Sequence, residues 1–288
     1  MKKSYEIDMC NGPLLGKILV FSIPLMLSGI LQLLFNAADI IVVGRFAGST
    51  ALAAVGSTAS LINLMINVFV GLSVGVNVLA ARYYGAQKEK DIQDTVHTAI
   101  MMAILSGLFL VVLGESASKP MLTLMGTPDD VLDQAALYLR IYFFGMPVLM
   151  IYNFGAALLR AVGDTRRPLY FLFAAGAVNV VLNLFFVIQL GMGVDGVAWA
   201  TVISECVSAG IIIRSLMKEN GAMKLHLTKL RIVSGKLTQI VRVGLPAGMQ
   251  GAIFSISNVL IQSSVNSFGS IAMAGNTASS NIEGFVYT

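Results

Sequence analysis

Apolar residues run along this chain in long stretches, each close to the roughly 20 residues that cross a bilayer as helix. The runs fall at about 18–43, 52–80, 95–114, 135–158, 168–189, 194–217 and 239–266, and an eighth opens near residue 272. Short connectors carrying charge, Gly or Pro separate them. Nothing alternates with the period of two that a half-buried strand requires, and backbone groups in hydrocarbon must bond within their own segment. The pattern therefore predicts an all-α membrane protein.

The first helix has an echo in the seventh. Pro24 and Pro246 occupy matching places, and Gly56-Ser57-Thr58-Ala59-Ser60 returns as Gly275-Asn276-Thr277-Ala278-Ser279, about 220 residues later. Both copies start on the same side of the membrane, so the repeat is parallel, about an axis along the membrane normal. Residues 1–217 are expected to form a six-helix lobe, 218–238 a cytoplasmic connecting loop, and 239–288 the incomplete start of a second lobe. Two such lobes make twelve helices, so the chain is expected to be truncated inside its eighth.

Composition agrees with a bilayer as solvent. Charged residues make up 12% of the chain, apolar residues 56%, and mean hydropathy is +0.81. A soluble domain carries about a quarter charged residues. The net charge of +4 does not imply nucleic acid, because no basic patch interleaves with aromatics. Sixteen of the 19 Lys and Arg fall on one side if the N-terminus is cytoplasmic, leaving Arg45, Lys119 and Arg140 outside. That asymmetry orients a multi-pass inner-membrane protein with its N-terminus in the cytoplasm. Met1 to Pro13 lacks a small-residue cleavage site, so the first helix is expected to be retained. Cys10 and Cys206 stand apart, as do His97 and His226, so neither a disulfide nor a zinc site is indicated.

Of 15 acids, only Asp39, Glu205 and Glu283 lie within apolar spans. An intramembrane acid is costly and marks a functional candidate or a structurally partnered group. Counting places Asp39 six residues before Arg45, Asn183 six before Gln189 and Thr201 six after Asp195. All three sit about 9 Å from the outer end at 1.5 Å per residue. Asn179 lies one turn below Asn183 on the same face. One carboxylate, two amides and a hydroxyl at one depth make a plausible hard-oxygen site for H⁺ or Na⁺ at Asp39. Interhelical hydrogen bonding accounts for the asparagines equally well. Gln32, Asn36 and Asn153 are candidate cavity residues, with the same structural alternative. Pro24, 15 residues before Asp39, is a candidate hinge or a static kink. Glu205 and Glu283 receive no role.

The segment Arg160-Ala161-Val162-Gly163-Asp164-Thr165-Arg166-Arg167-Pro168 resembles the R-x-x-G-D-T-R-x-P signature of multidrug and toxic compound extrusion (MATE) transporters. Gln32, Asn36, Asp39 and Gly44 resemble that family's first-helix pattern, and Gly193 to Thr201 its sixth-helix pattern. The likeness runs over essentially all 288 residues and leans toward the DinF-like branch. It implies two six-helix bundles around a central cavity, monomeric when full length. It implies export of drug-like, often cationic compounds against inward H⁺ or Na⁺, with no enzyme activity and no cofactor beyond the coupling ion. Residue by residue it assigns Asp39, Asn179, Asn183 and Thr201 to cation coupling, and Arg160, Gly163, Asp164, Thr165 and Pro168 to the loop motif. Two other readings are a lipid-linked saccharide flippase of the same superfamily, which should line its cavity with Arg or Lys, and an inactive transporter fragment.

Overall fold

A computed structural model describes residue 7 and residues 14–287; Lys2, Lys3, Cys10 and the rest of the Met1 to Pro13 segment lie outside the described residues apart from Ile7. The described residues form helices and no strands. The chain runs through α1 (Leu14–Val42), α2 (Ser49–Gly85), α3 (Glu89–Leu124), α4 (Asp129–Phe144), α5 (Met146–Ala161), α6 (Arg166–Leu184), α7 (Val194–Lys218), α8 (Ser234–Asn266) and α9 (Ser270–Tyr287). Six of these are long and apolar enough to cross a membrane, and α4 with α5 makes a seventh if the bent pair is one span. The protein is a multi-pass membrane protein.

That bend divides into two helices the single helix expected over 135–158. The two helices meet at 50° around Gly145. Pro147 enters at the start of α5, where a missing N–H does no harm to the new helix but ends the old one. The Gly145 N–H turns back to the Tyr142 carbonyl at 3.0 Å, and the Gly145 carbonyl starts α5 by accepting from Val148 and Leu149. Gly107 of α3 faces this corner, where an added Cβ would stand 2.8 Å from the Pro147 nitrogen. The third span also runs longer than expected, because α3 continues into polar sequence at both ends.

α2 is the central helix, touching α3, α4, α5, α8 and α9. Its 37 residues reach about 55 Å, well beyond a 30 Å hydrocarbon core. α8 crosses it at close range. A Cβ on Gly244 would lie 2.6 Å from the Leu72 Cα, and one on Gly248 would lie 2.8 Å from the Val68 Cα. Small residues let backbones approach in this way, and polar side chains then bond across the gap. Here Asn67 donates to Ser255 Oγ at 2.7 Å.

The 218–238 connector is tied to the helices it passes. His226 donates its N–H to His97 Nε2 at 3.3 Å, Val233 donates to Thr98 Oγ1 at 3.1 Å, and Met223 and Leu225 are buried. Arg231 pairs with Asp94 and Lys236 with Asp91, both at 2.7 Å. The Lys236 ammonium also sits 3.8 Å from the Tyr83 ring centroid.

Candidate functional site

Six helices, α1, α2, α4, α5, α6 and α7, bring side chains to one cavity of about 410 Å³, α2 with Asn63 and Asn67 among them. α1 supplies Gln32, Asn36 and Asp39, whose i, i+4, i+7 spacing puts them on one face. α7 supplies Thr201, Ser204, Glu205 and Ser208 by the same periodicity, and α6 supplies Gly176 and Asn179. The bent α4–α5 pair contributes Tyr138 and Tyr142 before the corner and Tyr152 and Asn153 after it.

Hydrogen bonds join α1, α6 and α7 into one chain of polar groups. Asn183 donates through Nδ2 to an Asp39 carboxylate oxygen and to Asn179 Oδ1, the latter at 3.1 Å. Asn179 donates to Thr201 Oγ1 at 3.4 Å, and the Thr201 hydroxyl donates to the Val197 carbonyl at 3.0 Å. Asp39 is half-buried, while Asn183, fully buried, stands behind the cavity wall. The expected grouping of Asp39, Asn179, Asn183 and Thr201 is thus present in space. Gly176 permits it: the Phe35 ring of α1 occupies the place a Cβ there would need, which draws α1 against α6.

One atom in the cluster is left over. Asn183 Oδ1 is buried and has no hydrogen-bond partner among the described residues. As folded, Asn183 points an N–H at Asp39, which suits an ionised carboxylate. A half-turn of that amide would set Oδ1 against the carboxylate. Two facing oxygens need a proton on Asp39 or a hard cation between them. The donor set fits either ion.

The other expected residues divide. Gln32, Asn36 and Asn153 line the cavity, with the Asn153 amide donating to the Leu149 carbonyl at 3.0 Å. Pro24 is buried in α1, which continues through it as helix, and its carbonyl accepts from Ser28 Oγ at 2.8 Å. Glu283 is exposed on α9, away from the cavity. Glu205, to which counting gave no role, is in the cavity wall.

None of Arg160, Gly163, Asp164, Thr165 and Pro168 lines the cavity; they lie in the joint between α5 and α6. Asp164, fully buried, caps α6 by accepting the N–H groups of Arg166 and Arg167 at 3.1 and 3.0 Å. It also pairs with the Arg167 guanidinium, which reaches on to Glu219 at the end of α7 and to Ser215. Gly163 has φ +83, and a Cβ there would lie 2.6 Å from the Ile7 carbonyl oxygen. Pro168 offers its carbonyl to the Tyr152 hydroxyl at 3.2 Å.

Sequence reasoning missed two features. The first is the stacked pair of Tyr138 and Tyr142 in the cavity wall, which their i, i+4 spacing on α4 could have signalled. The second feature has no residue-type signal: α1 and α6 each widen into a π-helical turn, Val43–Ala47 and Phe185–Gln189, just beyond Asp39 and Asn183.

Comparison with known proteins places the chain. The MatE family model matches residues 24–185. The probable multidrug resistance protein YoeA of Bacillus subtilis is 32% identical over 276 residues, covering 93% of this chain and 59% of that protein. An inward-facing MATE family transporter of the MOP superfamily superposes with a TM-score of 0.79 at 27% identity, covering 86% of this chain and 56% of that one. A MATE protein in its bent conformation superposes at 0.78 and 28% identity, covering 84% and 54%. The chain spans about three-fifths of the length of the curated relatives it matches.

Proposed function

The chain belongs to the MatE family, and from that premise we propose that it carries the cation-coupled lobe of a secondary exporter of drug-like compounds. In this reading residues 1–217 form the first lobe, residues 218–238 a cytoplasmic connector, and α8 and α9 open the second lobe of a monomeric twelve-helix transporter in the inner membrane. Asp39 takes up inward-moving H⁺ or Na⁺, and Asn183 turns its amide in response. Neutralising Asp39 releases the α1–α6 hydrogen bond, and α1, which lacks one backbone donor at Pro24, changes its packing against the cavity. Gln32, Asn36 and Asn153 meet the outgoing substrate. The family and the multidrug naming of YoeA support the substrate class.

The observation that carries this reading is the tie between Asp39 and buried Asn183 at the wall of a cavity of drug-accommodating size. The flippase alternative is disfavoured by the same wall, whose described lining holds two carboxylates and no Lys or Arg. The test is Asp39→Asn in the full-length protein reconstituted into liposomes, with H⁺ and Na⁺ gradients imposed separately. Gradient-driven export should be abolished while substrate binding in detergent stays within a few-fold. Undiminished gradient-driven export by Asp39→Asn refutes the coupling role.

A further inference from the structure

Glu205 faces the same cavity as Asp39, yet its circumstances are opposite. It lies one turn beyond Thr201 on α7, about 6 Å along the axis. The hydroxyls nearest in sequence are committed elsewhere: Ser204 donates to the Thr201 carbonyl at 2.8 Å, and Ser208 donates to the Glu205 carbonyl at 2.9 Å. No described residue donates a hydrogen bond to its carboxylate, and no Lys or Arg shares the cavity lining. Tyr138 and Tyr142, which stack on each other with centroids 6.0 Å apart, line the same cavity as Glu205 and Asp39.

An unpaired carboxylate away from bulk water is expensive and calls for a counter-charge. Asp39 has a donor in Asn183; Glu205 has none among the described residues. Glu205 shares with Phe35, Tyr138, Tyr142 and Tyr152 the lining of about 410 Å³ of space, within the range that holds a drug-sized ligand. Tyrosine faces attract organic cations, and do so more strongly when the cation is desolvated.

We propose that Glu205 is the residue that recognises the cationic centre of the exported substrate, with Tyr138 and Tyr142 beside it, separately from ion coupling at Asp39. This rests on the export reading and adds a division of labour between the two acids of one cavity. A lipophilic onium ion places its charge at Glu205 and its apolar groups against Tyr142, Tyr152 and Phe35. An uncharged compound of the same shape forfeits the ionic contact and binds through the apolar wall alone.

The test uses the full-length protein, with tetraphenylphosphonium as the cationic probe and triphenylphosphine oxide as the uncharged one. Equilibrium binding in detergent is measured for the unsubstituted protein, Glu205→Gln, Glu205→Asp and Asp39→Asn. Glu205→Gln should weaken tetraphenylphosphonium binding at least tenfold and leave the uncharged probe within twofold, while Glu205→Asp and Asp39→Asn keep cation binding within a few-fold. Four results overturn the proposal. These are unchanged cation binding by Glu205→Gln, equal loss for both probes, loss in Glu205→Asp as complete as in Glu205→Gln, and absence of tetraphenylphosphonium binding to the unsubstituted protein. Failure of the export reading looks different: proteoliposomes of the unsubstituted protein move no substrate under either gradient, whatever the binding data say.

Discussion

Replacing Asp164 by Ala strikes the joint between α5 and α6 without touching the cavity. The substitution removes two hydrogen bonds to the first N–H groups of α6 and a buried ion pair with Arg167. Loss of a cap alone costs about 1 kcal/mol. Breaking a buried pair by deleting one partner costs about 3–5 kcal/mol when the remaining charge is stranded. Arg167 keeps Glu219, so the lower end of that range applies, and the sum comes to about 4 kcal/mol. At roughly 2–4 °C per kcal/mol, the midpoint should fall by about 8–16 °C. Asp164→Asn keeps an oxygen for both N–H groups and loses only the charge, so its loss should be about half. The assay is the fraction of purified full-length protein that stays monodisperse after heating in detergent. Arg167→Met and the double variant complete a cycle, in which coupling above about 1 kcal/mol is expected. Equal midpoints for Asp164→Ala and the unsubstituted protein would falsify the reading of this loop as a structural staple.

At the α2–α8 crossing, Gly248→Leu must push the helices apart, because even a Cβ would stand 2.8 Å from the Val68 Cα, whereas Gly29→Leu meets no atom near its Cβ. Cross-linking of an Asn67→Cys/Ser255→Cys pair should drop several-fold with the first and hold with the second; equal yields would show that the crossing is not set by glycine. Burial, then Lys229, Lys224 and His97, hold the His226 pKa below the ordinary histidine value. The folded connector therefore resists protonation, so its docking is stable above about pH 6.5 and weakens as pH falls below it. Hydrogen exchange around residues 223–226, corrected for intrinsic rates, should accelerate between pH 7.5 and 5.5 and lose that dependence in His226→Gln; a dependence unchanged in the variant counts against it. In intact cells a membrane-impermeant maleimide should label Asp129→Cys and spare Lys88→Cys, both being exposed sites, and labelling at 88 would reverse the orientation.

Much of the fold was legible because hydrocarbon imposes a length on each helix and forbids unpaired backbone. Boundaries were less so: α3 begins at Glu89 and ends at Leu124, outside its apolar stretch, since a helix continues into water while its backbone bonds persist. The corner at Gly145 was written in Pro147, but an apolar run on both sides masked it. The loop motif was readable as a signature. Its work was not, because Glu219, the far partner of Arg167, is 52 residues away in sequence.

Two coordinates locate an acid within a bundle, its depth and the direction it faces. Counting residues from the helix ends supplies depth, and it put Asp39, Asn183 and Thr201 on one level. Direction follows from helical period once a single residue of the helix is anchored: with Thr201 in the wall, Glu205 at i+4 must share that wall. What counting could not supply was partnership. Asp39 gains Asn183 because Gly176 lets Phe35 lie against α6, an interhelical fit invisible in either helix alone. Glu205 has no such donor among the described residues, since the serines beside it bond back to their own helix. Similar carboxyl groups, one turn apart in level, thus inherit different chemistry from their neighbours: one is held by an amide that can turn when a small ion neutralises it, the other stands open to whatever positive charge enters the cavity.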